Sequence, residues 1–448
     1  MNLKGMRVLV IGLGKTGIDS VRFLVSQGAK VTATDAKPLS ELKDVINGLG
    51  TLTEKLEFSA YDADVLSRVD MVVPSPGVPP GNVILAEAEK RKILVVSEIE
   101  LAYRFLKAPL IAITGTNGKT TTTTLTGHIL ARAGKKVFVG GNIGNPLIGY
   151  LTGRQDDDYA VVEVSSFQLQ WVQSFHPFIA ILLNTTCDHV DYHGSFEAYR
   201  AAKEKIFEKQ KAKDLAVLNA DEERSLLIAR NMKAKVQFFS TKTEVTSGMF
   251  LKGEKLVHIT VSGEREEYPI GMIKIPGMHN VENVMASIMT ARYCGCPADA
   301  IIAAISDFKG IAHRIEFTEE KNGVAFYDDS KGTNVGAVAR ALETFSRPVI
   351  LLMGGRDKEG DFESLSPLVK SRVKELVLFG EARDRIDELI GGVIGTSKVK
   401  TMREAVRLAY EHSSPGDVVL LSPGCASFDE FSNYKERGKV FKDVVKSL

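Results

Sequence analysis

Residues 108–124 read APLIAITGTNGKTTTTT. The apolar run Leu110-Ile111-Ala112-Ile113 breaks at Thr114-Gly115-Thr116-Asn117-Gly118-Lys119-Thr120, and a helix-compatible segment follows to about Ala133-Gly134. Strand, glycine-rich turn and helix start in this order aim backbone N–H groups and the positive end of a helix dipole at an anion. Lys119 can reach a β- or γ-phosphate, and the Thr120 hydroxyl can ligate Mg²⁺. The longer pattern G-x-x-x-x-G-K-[ST] would need glycine at position 113, where the chain has Ile113. The shorter Gly115-x-x-Gly118-Lys119-Thr120 keeps the same physics. A plain strand-to-helix turn with a surface lysine is the bland alternative, and it leaves the ordered set of glycines, lysine and threonine unexplained. The expected ligand is a nucleoside triphosphate.

Working outward, Lys136–Val139 reads as a strand ending in Gly140-Gly-Asn142-Ile-Gly144, and Tyr159–Val164 as an apolar strand interrupted by Glu163. A carboxylate in such a run is expensive to bury unless it is paired or bound to metal. A Walker-type strand acid near Lys119 and Thr120 suits Mg²⁺ with ATP; an edge-strand acid facing solvent is the alternative. Ile179–Leu183, the next strand, ends in a dense polar cluster that includes Asp188, His189, Asp191 and His193. Ser195 reads as the N-cap of a helix running to about Ala212. Lys203 lies four residues from both Tyr199 and Phe207, on the apolar stripe of that helix. There it must snorkel, pair or change its charge state; carbamylation by CO₂ into a metal-binding anion is the sharper possibility. Residues 234–275 carry short alternating strands, expected as an antiparallel patch on the central sheet. Asn280 and Asn283, three apart on the following helix, could read a base edge, and helix capping competes for Asn280.

On the N-terminal side, Arg7–Ile11 runs into Gly12-Leu-Gly14-Lys15-Thr16-Gly17, a helix to about Ser26, and Lys30–Thr34 closing on Asp35. Alone, this βαβ unit reads as a dinucleotide fingerprint, although any nucleotide diphosphate can use the same turn. Val69–Val73 is another strand, followed by a rigid Pro/Gly loop, Pro74 to Pro80, that contains Gly77. On the C-terminal side, strands at Val324–Tyr327, Val349–Met353, Leu376–Phe379 and Val418–Leu421 alternate with helices, which implies a mostly parallel sheet. Polar residues again gather at the strand ends.

A chain of 448 residues suits about three domains. We expect an α/β protein with a Rossmann-like part over 1–107, a central P-loop-type mononucleotide-binding part over 108–311 with added antiparallel strands, and a Rossmann-like part over 312–448. Hydrophobic content of 44% and charged content of 25% fit an ordinary globular protein, and a net charge of +1 gives no basis for a nucleic-acid or acidic-membrane partner. The apolar runs are too short to span a bilayer, and no secretory signal precedes the first strand, so a cytoplasmic location is expected. Cys294-Gly-Cys296 has no second pair with which to build a zinc site, and free thiols are expected.

Taken together, TGTNGKTTT (114–122), GGNIG (140–144), EVSSFQL (163–169), the DH pair at 188–189, YRAAK (199–203), HNVEN (279–283), HR (313–314), DDSKGTN (328–334) and SPGCASFDEF (422–431) resemble the Mur ligase family over the whole chain. With SPGV (75–78) and the first glycine turn, the likeness is greatest to the branch that adds D-glutamate; the DNPR-type stretch of the diaminopimelate-adding branch is missing. The resemblance implies a monomeric ATP-dependent ligase that joins D-glutamate to UDP-N-acetylmuramoyl-L-alanine through an acyl phosphate, with two Mg²⁺ ions. It implies ATP on Gly115, Thr116, Asn117, Gly118, Lys119, Thr120 and Thr121, with Asn280, Asn283, Arg314, Asp329 and Lys331 around the nucleotide. Metal would sit on Thr120, Glu163, His189 and carbamylated Lys203, the catalytic set being Lys119, Glu163, His189 and Lys203. Lys15, Thr16, Asp35, Lys37 and Gly77 would hold the UDP end, which reassigns the first glycine turn from NAD to UDP. Asn142 and Gln168 would lie along the sugar–lactyl part, and Thr333, Lys358, Ser427 and Tyr434 at D-glutamate. Lys37 and Tyr434 stand where the family pattern has arginine and phenylalanine; charge and ring are kept. The outer parts are expected to close on the centre when ligands bind. Competing expectations are a sister ligase that adds L-alanine, a folylpolyglutamate synthetase, an NAD-dependent oxidoreductase built on residues 1–107, and a non-catalytic nucleotide-binding module.

Overall fold

The computed structural model describes residues 1–448 except 39, 50, 51, 53–55, 59–62 and 358. The chain forms two compact units, Met1–Met272 with Glu282–Ser306, and Ile273–Val281 with Asp307–Leu448.

The first unit holds two sheets. One has five strands in the order Leu56–Phe58, Lys30–Thr34, Arg7–Ile11, Met71–Pro74, Leu94–Val95, all parallel. The other has nine, in the order Arg265–Pro269, Lys255–Ile259, Gly248–Lys252, Lys235–Ser240, Leu215–Asn219, Ile179–Leu182, Leu110–Thr114, Tyr159–Glu163, Val137–Gly141. Parallel strands covered by helices on both faces should read as unbroken apolar runs. Leu110, Ile111, Ala112 and Ile113 do, and each is 2% exposed or less. Burying a Leu or Ile side chain stabilises by about 1.5–3 kcal/mol, so these few residues fix the strand that carries the phosphate-type loop.

The added strands need a correction. Lys235–Ser240 continues the parallel sheet, pairing parallel with Leu215–Asn219 and with Gly248–Lys252. Only the last three strands are antiparallel neighbours. Strand direction depends on the connection, which alternation of side chains does not report. The helix capped by Ser195 is also shorter than expected: Phe196–Glu204 is α-helical, Lys205–Phe207 is a 3-10 turn, and the helix does not reach Ala212.

The second unit has a six-stranded sheet, Glu316–Lys321, Val324–Asp328, Val418–Gly424, Val349–Gly354, Val373–Phe379, Thr396–Lys398. It is parallel except at its first strand, which runs antiparallel to the second. The polar edge strand EFTEEK has no apolar run and escapes the pattern. Among the described residues no helix is long and apolar enough to cross a membrane. The four cysteines are free.

Candidate active site

Strand register assembles the centre of the first unit. Leu110–Thr114 lies between Ile179–Leu182 and Tyr159–Glu163, with Ile113 opposite Glu163 and Thr114 opposite Leu182. Three strand ends therefore meet at the turn 115–118. Gly118 caps the 14-residue helix Lys119–Arg132 with φ +82°, without a side-chain cap and without an acid in the first turn. That is the arrangement of an anion-binding helix start. Asn184, 6% exposed, braces the turn: Asn117 N donates to its Oδ1 at 2.9 Å, its Nδ2 donates to Asn117 O at 3.2 Å, and Thr116 N donates to its carbonyl at 3.0 Å. Thr116 Oγ1 meets Tyr199 OH at 2.9 Å and accepts from Thr186 N at 3.1 Å. Lys119 Nζ donates to Gly115 O and Thr116 O, both at 2.8 Å.

Gly118 has no room for a methyl group. Its φ lies in the left-handed region, and a Cβ would run into the Asn283 amide. Left-handed backbone costs a side chain about 1–2 kcal/mol. Gly118→Ala is expected to weaken ATP binding by at least about tenfold, near 1.4 kcal/mol, in a titration with a fluorescent ATP analogue. Wild-type affinity would show that the turn does not touch the nucleotide.

Glu163 is not on an edge. Its strand runs between Leu110–Thr114 and Val137–Gly141, and the side chain is 2% exposed. Asn142 Nδ2 donates to Glu163 Oε1 at 2.8 Å and Asn142 N to Glu163 O at 2.9 Å. Glu163 Oε2 is buried with no hydrogen-bond partner among the described residues. Such an oxygen calls for a counter-charge, and the carboxylate suits a divalent cation. Lys203, also 2% exposed, donates from Nζ to Gly115 O at 2.8 Å and lies 4.6 Å from the centre of the Tyr199 ring. Burial, reinforced by the charge of Lys119, holds its amine well below the usual lysine range, while Asp188 and Glu163 pull the other way. A buried lysine next to a second lysine favours the neutral amine. His189 is half exposed, with φ +51°; its ring contacts Phe167 and Tyr199, and its Nε2 is 3.6 Å from Asp188 Oδ2.

Around the first glycine turn, Asp35 Oδ2 accepts Leu13 N at 2.6 Å and Oδ1 accepts Lys37 N at 2.9 Å, so this acid braces the turn. Lys15 Nζ reaches Gly144 O at 2.6 Å and Asn145 Oδ1 at 3.1 Å, joining the turn to the 140–145 loop. Thr16 O accepts Ser20 Oγ inside the helix, and Gly77 has open space where a side chain would stand. Gln168 is buried: its Oε1 accepts Ser165 N and its Nε2 donates to Glu98.

In the second unit, two neighbouring strand ends carry the polar motifs. Ser422 Oγ donates to Asp329 Oδ2 at 2.7 Å and Gly424 N to Gly332 O at 2.9 Å. Burial pushes the Asp329 carboxyl up to about 7, against the Ser422 hydroxyl and the charge of Arg314. Lys331 Nζ lies 4.0 Å from the centre of the Tyr434 ring, within cation–π range. Ser427 is buried, Thr333 N donates to Lys331 O at 2.9 Å, and Asn280 Nδ2 donates to Pro276 O at 2.6 Å. Lys358 lies outside the described residues. Arg437, unremarked in the sequence, is completely buried; it donates from Nε to Ser330 Oγ and from Nη2 to Ser330 O and Cys425 O. Burial lowers its guanidinium to about 10. It sits on the stripe Tyr434, Arg437, Phe441, Val444, the same signal that picked out Lys203. Among the described residues, the one group of three His, Cys, Asp or Glu side chains close enough to share a metal is His313, Glu316 and Asp328, outside the expected metal set. Lys442 lies 2.5 Å from Glu316 and 3.7 Å from Asp328, which already supplies the counter-charge.

Family profiles match three segments: the Mur ligase MurD-like N-terminal domain over 6–97, the Mur ligase middle domain over 113–291, and the Mur ligase glutamate ligase domain over 313–425. The chain is 59% identical over 449 residues to the UDP-N-acetylmuramoylalanine–D-glutamate ligase of Syntrophus aciditrophicus (strain SB), covering 100% of this chain and 99% of that protein. The chain belongs to the Mur ligase family. The enzyme of the same name from Geotalea uraniireducens (strain Rf4) is 46% identical to this Mur ligase, with coverage of 100% and 99%. In fold it resembles a MurF ligase from Thermotoga maritima solved with ADP, at TM-score 0.62, 16% identity and coverage of 99% and 96%. It likewise resembles a pseudomurein peptide ligase type C from Methanothermus fervidus, at TM-score 0.61, 18% identity and coverage of 99% and 100%. The three-domain Mur ligase fold is thus present. In this Mur ligase the first unit brings together Gly115–Thr121, Asn142, Glu163, Lys203 and Asn283; Asn280, Arg314, Asp329, Lys331, Thr333, Ser427 and Tyr434 belong to the second.

Proposed function

We propose that this Mur ligase joins D-glutamate to UDP-N-acetylmuramoyl-L-alanine, converting ATP to ADP and phosphate, as a cytoplasmic monomer in peptidoglycan precursor synthesis. Identity of 59% over the whole length to a ligase of that name supports the reaction and weighs against the oxidoreductase and the folate-type acceptor. The observation that carries the site is the meeting, at the ends of neighbouring interior strands, of the turn 115–118, the Glu163 Oε2 that has no hydrogen-bond partner among the described residues, and the buried Lys203 amine. We retain the division into 1–107, 108–311 and 312–448, which the three profile matches support.

The chemistry is two transfers. The acceptor's carboxylate oxygen attacks the γ-phosphorus and the bond to ADP breaks. The D-glutamate amine then attacks the acyl-phosphate carbonyl, and phosphate leaves as the amide forms. Positioning and charge neutralisation supply most of the catalysis in such reactions. The N–H groups of the turn and Lys119 hold the β- and γ-phosphates. Thr120 and Glu163 would hold one Mg²⁺, and Glu163, His189 and carbamylated Lys203 a second; bound Mg²⁺ neutralises phosphate charge. Asn280, Asn283, Arg314, Asp329 and Lys331 are assigned to the nucleotide. Lys15, Thr16, Asp35, Lys37 and Gly77 are assigned to the UDP end, Asn142 and Gln168 to the sugar–lactyl part, and Thr333, Lys358, Ser427 and Tyr434 to D-glutamate.

Phosphate release tests the reading, with ATP, Mg²⁺, UDP-N-acetylmuramoyl-L-alanine and one amino acid at a time. D-Glutamate is expected to exceed L-glutamate, L-alanine and meso-diaminopimelate by at least about 100-fold in kcat/KM, a discrimination that differences in pocket contacts can supply. Turnover with a different amino acid would move the protein to a sister activity, and none with any would overturn the acceptor.

A further inference from the structure

Glu98 opens the helix Glu98–Tyr103, just past the last strand of the five-stranded sheet, and is 1% exposed. It has no ion-pair partner among the described residues. Its two oxygens serve two separate segments beside the nine-stranded sheet. Oε1 accepts Ile148 N at 2.8 Å, and Oε2 accepts Gln168 Nε2 at 3.3 Å. Ile148 lies in the short helix Leu147–Tyr150 that ends the loop holding Asn142, and Glu163 fixes Asn142 from the other side. Gln168 closes a capping box with Ser165, its Oε1 accepting Ser165 N at 3.0 Å. Burial, reinforced by the charge of Asp19, pushes the Glu98 carboxyl up to about 7 against these two donors. A buried acid without a cation is expensive, and an apolar residue would leave two N–H groups unsatisfied. A carboxylate only accepts, so it suits two converging donors where an amide would turn an N–H toward one of them.

We propose that Glu98 is a positioning residue for the UDP-linked acceptor: it ties the 140–148 loop and the Ser165–Leu169 turn into one shelf, independent of the phosphate loop. This rests on the assignment of Asn142 and Gln168 to the acceptor. Glu98 touches no reacting atom and acts through these two segments.

The test is Glu98→Gln, which keeps the shape and turns an N–H toward a donor. In steady-state assays beside the wild type, KM for the UDP-linked acceptor rises at least about tenfold, while KM for ATP stays within about twofold and kcat within about threefold, a pure binding signature. Hydrogen exchange measured on both proteins without substrate rises across 141–150 and 165–169 in the variant and stays at the wild-type rate across 115–122. Unchanged acceptor KM, or parallel losses for ATP and acceptor, would overturn the proposal, as would exchange that rises everywhere. If the wild type turns over no UDP-linked acceptor, the proposed function fails. The exchange pattern then decides alone: a rise confined to the two segments supports the shelf, and any other pattern overturns it.

Discussion

Replacing Glu163 with glutamine is expected to lower kcat by about 1,000-fold, near 4 kcal/mol at 1.36 kcal/mol per decade, and to raise the Mg²⁺ concentration needed for half-maximal turnover by more than about tenfold, because a metal ligand supplies several kcal/mol of charge stabilisation. The amide is nearly isosteric. Its oxygen can still accept from Asn142 Nδ2, which holds the present carboxylate at 2.8 Å. The fold is therefore expected to survive, with a melting temperature close to wild type. What changes is the other oxygen. Glu163 Oε2 is buried and unpartnered among the described residues, beside the strand that feeds the phosphate loop, and an amide N–H there repels a cation. Turnover at wild-type Mg²⁺ dependence would remove Glu163 from the metal set.

These residues were legible to different degrees. The central strands announced themselves because parallel strands buried on both faces are apolar throughout. A carboxylate interrupting one of them, Glu163, therefore stood out. Lys203 stood out for the same reason on a helical stripe. Arg437 lies on an equally plain stripe, yet only its buried bonds to Ser330 and Cys425 give it a role. Asn184 is different. Its brace on Asn117 exists because Leu182 pairs with Thr114, and a pairing between distant strands leaves no local trace in either. Glu98 stands in the first turn of its helix, where the dipole welcomes any acid; its burial depends on two segments far along the chain, which leave no mark beside it in the sequence. The same limit explains the parallel Lys235–Ser240. Alternation marks a strand and its faces, and the partner decides the direction.

Lys203→Ala is expected to cut kcat by at least about 100-fold, the scale for removing one preorganised charge-stabilising group, and short carboxylates such as acetate or propionate are expected to restore part of it. Two facts favour a carbamate here over an ammonium. The amine is buried beside Lys119, and burial and that neighbour together outweigh the pull of Asp188 and Glu163 toward a positive charge. The neutral amine that results is the form that adds CO₂: a C–N bond forms, one proton leaves, and a carboxylate stands on the nitrogen. That anion would offset Lys119 and, together with Glu163, offer oxygens to a shared divalent cation, where the ammonium offers only N–H donors. A small carboxylate diffusing into the alanine cavity brings back the charge without the tether, so rescue should saturate with its concentration. A primary amine of matching size should give none if the carbamate is the working group. Mass measurement under native conditions with added bicarbonate gives an independent readout, since one carbamate adds the mass of one CO₂ and the alanine variant should lose that increment. Rescue by an amine but not by a carboxylate would make Lys203 a cationic contact to phosphate, and activity unchanged by the substitution would leave it a packing residue under Gly115.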